Sequence, residues 1–174
     1  MNQSQKSILK DLNASDPNIV LAALKKSRKE GNATIFEGIL NTLKETDEPT
    51  VESEIIAFLF DLKDESAIPV LINALNNEDM QYYWSFLVAT FWQSAIDGSG
   101  HLDVFVKKAI EGDYMTSLEA LTVIENFDSS FDEQLLQECT TDLNIAAQEE
   151  EDEDKKALLI SLTEVVQKLP LEGE

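Results

Sequence analysis

Cysteine, histidine, glycine, proline and positive charge are all scarce in this sequence, and each shortage removes a class of protein from consideration. Cys139 is the only cysteine in 174 residues, so no intrachain disulfide can form and the fold has to be held by packing. With no charged-then-apolar leader at Met1-Asn2-Gln3-Ser4, the same shortage predicts a cytoplasmic protein. Only 6 glycines and 4 prolines interrupt a chain that is 43% apolar, which favours helices joined by short turns and requires no strands. Uncharged apolar runs stop short of the roughly 18 residues of a membrane span; Tyr82 to Ile96 comes closest and is broken by polar side chains. With 13 Lys/Arg against 34 Asp/Glu the formal net charge is −21. Such a surface repels DNA, RNA and anionic lipid, because phosphate neutralisation supplies most non-specific nucleic-acid affinity. The charge is uneven: 7 Lys/Arg face 4 Asp/Glu through Lys44, and 6 face 30 beyond it.

What is present is clearest between Asp64 and Ile96. Asp64-Glu65-Ser66 offers an N-cap, Pro69 suits a first turn, and Ala67, Ile68, Val70, Leu71, Ile72, Ala74 and Leu75 recur at helical spacing. Asn76-Asn77-Glu78-Asp79 interrupts with turn formers. A second apolar run from Met80 to Ile96 follows, and Asp97-Gly98-Ser99-Gly100 ends it. The result is a helical hairpin of about 35 residues whose second helix carries apolar side chains over most of its circumference, so it needs neighbours on both sides.

The segment DESAIPVLINALNNED, followed by a second amphipathic helix, resembles a HEAT repeat of the bacterial type, with Ala67, Ile68, Pro69, Leu71 and Leu75 on the first-helix pattern. That resemblance implies an all-α fold, a right-handed α-α superhelix of the HEAT/armadillo kind, in which hairpins of about 40 residues stack. It implies almost nothing about function. The rest of the chain follows the same period. Asp16 and Pro17 start one helix as N-cap and first residue, and Gly31-Asn32 supplies its expected left-handed stop. Pro49 recurs 32 residues after Pro17 in an equivalent turn. Breaks near residues 13, 31, 46, 63, 76, 97, 112, 128 and 148 give about five hairpins, at approximately 5–30, 33–62, 65–96, 101–127 and 131–169, in a single domain.

Three features invite a functional reading. Glu149-Glu150-Glu151-Asp152-Glu153-Asp154 lacks the ligand alternation and glycine of a calcium loop and reads as a solvated helix start. His101, Asp97 and Ser99 share a Gly-rich turn that reads as a helix cap rather than an acid-base site, and the turn lacks the lysine of a phosphate loop. No catalytic residue, cofactor or metal site is expected. The aromatic helix is different: at 100° per residue Gln81, Ser85, Ala89 and Gln93 form an open stripe, with Tyr82, Trp92 and Ile96 close to it and Trp84, Leu87 and Phe91 opposite. Equivalent stripes carry Glu54, Ala57 and Asp61 before it and Met115, Glu119, Thr122 and Asn126 after it.

In a HEAT-like stack the second helices line the concave surface. The expected partner-binding residues are therefore Tyr82, Trp92, Gln93, Glu54, Asp61, Glu119 and Thr122, an acidic surface suited to a basic or amphipathic segment of another protein. Packing of both rings between repeats is the competing reading. A non-catalytic protein-binding scaffold leads. HEAT-like enzymes resembling bilin lyases, and acidic nucleic-acid mimicry, are the alternatives; the alkylpurine DNA glycosylases of similar fold need a cationic groove, which this chain lacks.

Overall fold

The computed structural model describes residues 1–173, and among them the chain is all-helical. Ten α-helices follow in order: α1 (Gln3–Leu12), α2 (Pro17–Glu30), α3 (Ala33–Glu45), α4 (Pro49–Phe60), α5 (Ile68–Leu75), α6 (Trp84–Gln93), α7 (Leu102–Glu111), α8 (Tyr114–Glu125), α9 (Glu133–Glu149) and α10 (Glu153–Val166). Their starts obey the capping chemistry of the sequence. Asp16, Asn32, Asp113, Asp132 and Asp152 each accept a backbone N–H of the following turn, and Pro17 and Pro49 occupy first-turn positions where no amide donor is needed.

Contacts divide the chain into two compact units. The N-terminal unit holds Met1–Met80 with Gln93–Ile96; Ala95 joins it by donating its N–H to the Leu62 carbonyl at 3.0 Å. Within it α1 packs on α2 and α3, α2 on α4, and α3 on α4 and α5. Ile8, Ile35, Ile39, Leu43, Ile55 and Leu75 are completely buried there, each contributing about 1.5–3 kcal/mol by removal from water. The C-terminal unit holds Gln81–Trp92 and the chain from Asp97 onward. In it α7 packs on α8 and α9, α8 on α10, and α9 on α10. A run of rings, Phe91, Phe105, Phe127 and Phe131, passes through this unit at centroid spacings of 4.9, 5.9 and 5.9 Å. The chain end returns to the α8–α9 turn, where the Phe131 N–H donates to the Pro170 carbonyl at 2.8 Å.

Four local expectations are corrected. Gly31 is not left-handed: its φ is −61 and ψ 147. The position needs glycine for space, since a Cβ would come within 2.7 Å of the Phe36 ring and 2.8 Å of the Ser27 carbonyl. The second helix of the central hairpin starts late, after a 3-10 segment over Glu78–Tyr83, and ends at Gln93. Ile96 therefore lies beyond the helix, so its wheel angle does not apply, and it is buried. Ala89, expected on the open stripe, is buried, whereas Phe86 is 37% exposed. Finally, the Asp97-Gly98-Ser99-Gly100 turn does not cap α7 with a side chain. Asp97 instead closes a local turn, its carboxylate accepting the Ser99 N–H at 2.9 Å and the Ser99 hydroxyl at 3.0 Å.

Candidate functional site

Two of the expected binding residues are joined directly. Trp92, near the C-terminal end of α6, donates its indole N–H to the Glu119 Oε2 on α8 at 2.6 Å. The short distance marks a charge-assisted bond, and it fixes the indole while leaving 39% of Trp92 exposed. Met115 lies one turn before Glu119 on α8 and is 47% exposed. Thr122, one turn after, is half-buried, and its hydroxyl is committed to the Leu118 carbonyl at 3.0 Å. Tyr82 is 77% exposed, with its ring edge-on to Tyr83 at a centroid distance of 4.9 Å. The C-terminal unit thus presents Tyr82, Trp92 and Met115 as large exposed side chains in an acidic segment of the chain, with one carboxylate already holding one of the rings.

The remaining expected residues fall in the N-terminal unit. Glu54 and Gln93 are exposed. Asp61 is exposed at the C-terminal cap of α4 but is not a free acid, because Arg28 Nη1 lies 2.6 Å from its Oδ2. The same guanidinium lies 5.4 Å from the centroid of the Phe58 ring, so the one cation of α2 that reaches Asp61 is held by an acid and a ring together.

Sequence reasoning missed Lys108. It is 2% exposed on α7, its ammonium 3.7 Å from the centroid of Trp84 and 2.7 Å from the Glu111 Oε2. Glu111 also lies 3.7 Å from Lys107. The signal was available, since Lys108 stands three residues after Phe105 and four before Gly112, on the face of α7 that is otherwise buried. The indole N–H of Trp84 is buried with no hydrogen-bond partner among the described residues.

The acidic run divides by role. Asp152 caps α10, accepting the N–H groups of Asp154 and Lys155 at 2.9 Å each. Glu150 pairs with Lys155 at 2.9 Å, and the hydrogen bond from Lys155, with one from the Asp152 amide, holds its carboxyl below the ordinary glutamate range. Lys155 also donates to the Ile110 carbonyl at 2.9 Å, which ties the start of α10 to the end of α7. Around His101, the Ser99 hydroxyl is oriented by Asp97 and Ser129, and no hydrogen bond among the described residues joins it to the imidazole. Among the described residues no group of three or more His, Cys, Asp or Glu is arranged to hold a metal ion, and no helix is long and apolar enough to cross a membrane.

Cys139 lies buried in α9. Burial first, and then the carboxylates of Asp103, Asp142 and Glu138, push its thiol up to about 11, which is the chemistry of an inert structural thiol and not of a nucleophile.

No protein-family model, no curated protein and no solved structure matches this chain.

Proposed function

We propose that the chain is a non-catalytic protein-binding scaffold whose helical hairpins stack in the right-handed HEAT-like manner, and that it holds a basic or amphipathic segment of another protein. The order of packing supports the stack: within each unit, first helices of hairpins neighbour first helices and second helices neighbour second helices. The observation that carries the binding reading is Trp92. A large indole is left 39% exposed, and a surface hydrogen bond of 2.6 Å to Glu119 holds it in one orientation. Pre-ordered aromatic side chains make strong anchors because little rotamer freedom is lost on binding. With Glu119 beside it, the ring face suits the guanidinium or ammonium of a basic segment, and Met115, one turn before Glu119 on α8, offers apolar area to the same partner.

Capture from lysate on immobilised wild type and on Trp92→Ala, followed by mass spectrometry, tests this reading. Proteins retained by the wild type, released by raised salt and lost with Trp92→Ala support it. Identical retained sets on the two baits, with both proteins folded by circular dichroism, remove Trp92 from any binding role.

A further inference from the structure

A second surface of the C-terminal unit has the shape and charge of a helix-binding groove. α7 and α9 lie side by side and leave between them a trough of about 460 Å³. On α7 it is lined at helical spacing by Asp103, Val106, Lys107 and Ile110, and on α9 by Leu135, Glu138, Cys139, Asp142, Ile145 and Glu149, among others. Each set is one stripe of its helix. On α9 the stripe runs fourteen residue steps, from Leu135 to Glu149, or about 21 Å at about 1.5 Å per residue, the length of a four-turn helix laid alongside.

The composition of the trough selects its occupant. Val106 and Cys139 are buried at its floor, Ile110 and Leu135 are partly covered, and Ile145 is 51% exposed, an aliphatic side chain left in water beside a row of acids. Among the described residues no ion pair engages Asp103, Glu138, Asp142 or Glu149. The single lysine lining the trough, Lys107, lies 3.7 Å from Glu111. Three of these carboxylates, Asp103, Asp142 and Glu138, are felt at the Cys139 sulfur on the floor. An anionic ligand is repelled by such a rim, and a bare metal ion finds no ligand cluster. Glu138 accepts a hydrogen bond from the Gln134 amide at 2.8 Å, and an apolar floor between carboxylates that no cation among the described residues neutralises is complementary to a helix with aliphatic residues on one face and Lys or Arg flanking them.

We infer that the α7–α9 trough is a docking groove for a cationic amphipathic helix of another protein, distinct from the Trp92 surface. This rests on the reading of the chain as a protein-binding scaffold and adds the secondary structure and charge of one partner segment.

The test uses the full chain and a fluorescein-labelled fourteen-residue Leu/Lys amphipathic peptide, with binding read by fluorescence anisotropy at about 0.15 M salt. The variants are Ile145→Ser, the double reversal Glu138→Lys with Asp142→Lys, Trp92→Ala, and Ile160→Ser as a control that removes another exposed aliphatic side chain. Ile145, Glu138 and Asp142 are exposed, so these variants keep the fold, which circular dichroism checks. Expected are saturable binding by the wild type, about 10-fold weaker binding after charge reversal, about 5-fold weaker binding for Ile145→Ser, and a change below about 2-fold for the control Ile160→Ser. Binding that responds to charge reversal but not to Ile145→Ser is diffuse attraction to a polyanion and overturns the groove. Binding lost with Trp92→Ala moves the peptide to the Trp92 surface, overturning the groove and leaving the scaffold reading intact. No binding by the wild type, with lysate partners still retained through Trp92, has the same meaning. Concentration-dependent dimerisation abolished by Ile145→Ser in sedimentation assigns the trough to a second copy and overturns the proposed occupant.

Discussion

The ammonium of Lys108 lies 3.7 Å from the centroid of the Trp84 indole, so the one buried lysine of the C-terminal unit shares its charge between a ring and the Glu111 carboxylate at 2.7 Å. A buried cation is costly unless it is paired, and removing one partner is worse than removing the cation itself. Trp84→Ala should therefore cost about 3–5 kcal/mol, combining a large cavity with the loss of the ring beneath the charge. Trp84→Phe keeps a ring, deletes the unpartnered indole N–H and should cost clearly less. Lys108→Met, which replaces the ion by an apolar chain of similar length, should lie within about 1.5 kcal/mol of wild type. Urea unfolding of the three variants sets the order; a Lys108→Met cost equal to that of Trp84→Ala would contradict the pairing described here.

Cys139 should be slow to alkylate. A thiol pushed up to about 11 from an ordinary value of 9.0 has about 100-fold less thiolate at pH 8 than a free cysteine. Iodoacetamide labelling of folded protein should therefore run at least about 100-fold slower than labelling in urea. The sign for stability follows from the raised value: the folded state holds the thiol proton more tightly, so this contribution is complete below the unfolded pKa and is lost as pH rises toward 11. Rapid labelling of the native protein would show that the floor of the trough is open to solvent.

Gly31 and Gly100 should respond oppositely to alanine. A Cβ at Gly31 meets the Phe36 ring at 2.7 Å and the Ser27 carbonyl at 2.8 Å, and one at Gly100 meets nothing within 4 Å. Gly31→Ala should cost about 1–3 kcal/mol by overpacking. Gly100→Ala should be neutral or stabilise by up to about 1 kcal/mol, because it removes freedom from the unfolded chain. Thermal melts distinguish them, and equal shifts would place the constraint at Gly31 outside its packing.

The Glu150–Lys155 pair should appear in the acid limb of stability. Lys155 lowers the Glu150 pKa, so its contribution is present above the ordinary glutamate range, near pH 4.5, and disappears as pH falls through the lower folded value. Glu150→Gln should melt below wild type at pH 6 and converge with it in strong acid. Melting curves that stay parallel across that range would mean the pair adds nothing.

Turn chemistry and apolar spacing carried most of the fold. Asp16, Pro17 and Pro49 start helices, and Ala67, Leu71 and Leu75 are buried, because capping and period are local properties of the chain. Wheel geometry separated Trp84 from Trp92 correctly but failed at Ile96 and Ala89. Ile96 lies past the helix end, and the environment of Ala89 depends on its neighbours rather than on its own helix. Asp61 and Glu119 illustrate the limit for the site. Their positions were legible, while their pairing with Arg28 and Trp92 spans 33 and 27 residues and is set by packing. For Lys108 the burial was legible from its spacing to Phe105, but its contact with Trp84 reaches 24 residues back along the chain and is set by packing.

The central claim is that Trp92 is a recognition side chain while Trp84 belongs to the core, and Trp84→Phe makes Trp92 the sole tryptophan and hence a direct reporter. Acrylamide quenching and emission of this variant are recorded alone and with the partner captured by the wild type. Expected is a readily quenched indole in the free protein that becomes protected and shifts to the blue when the partner binds. An emission and quenching constant unchanged at saturating partner, with binding confirmed by sedimentation, would place the interface elsewhere and contradict the claim.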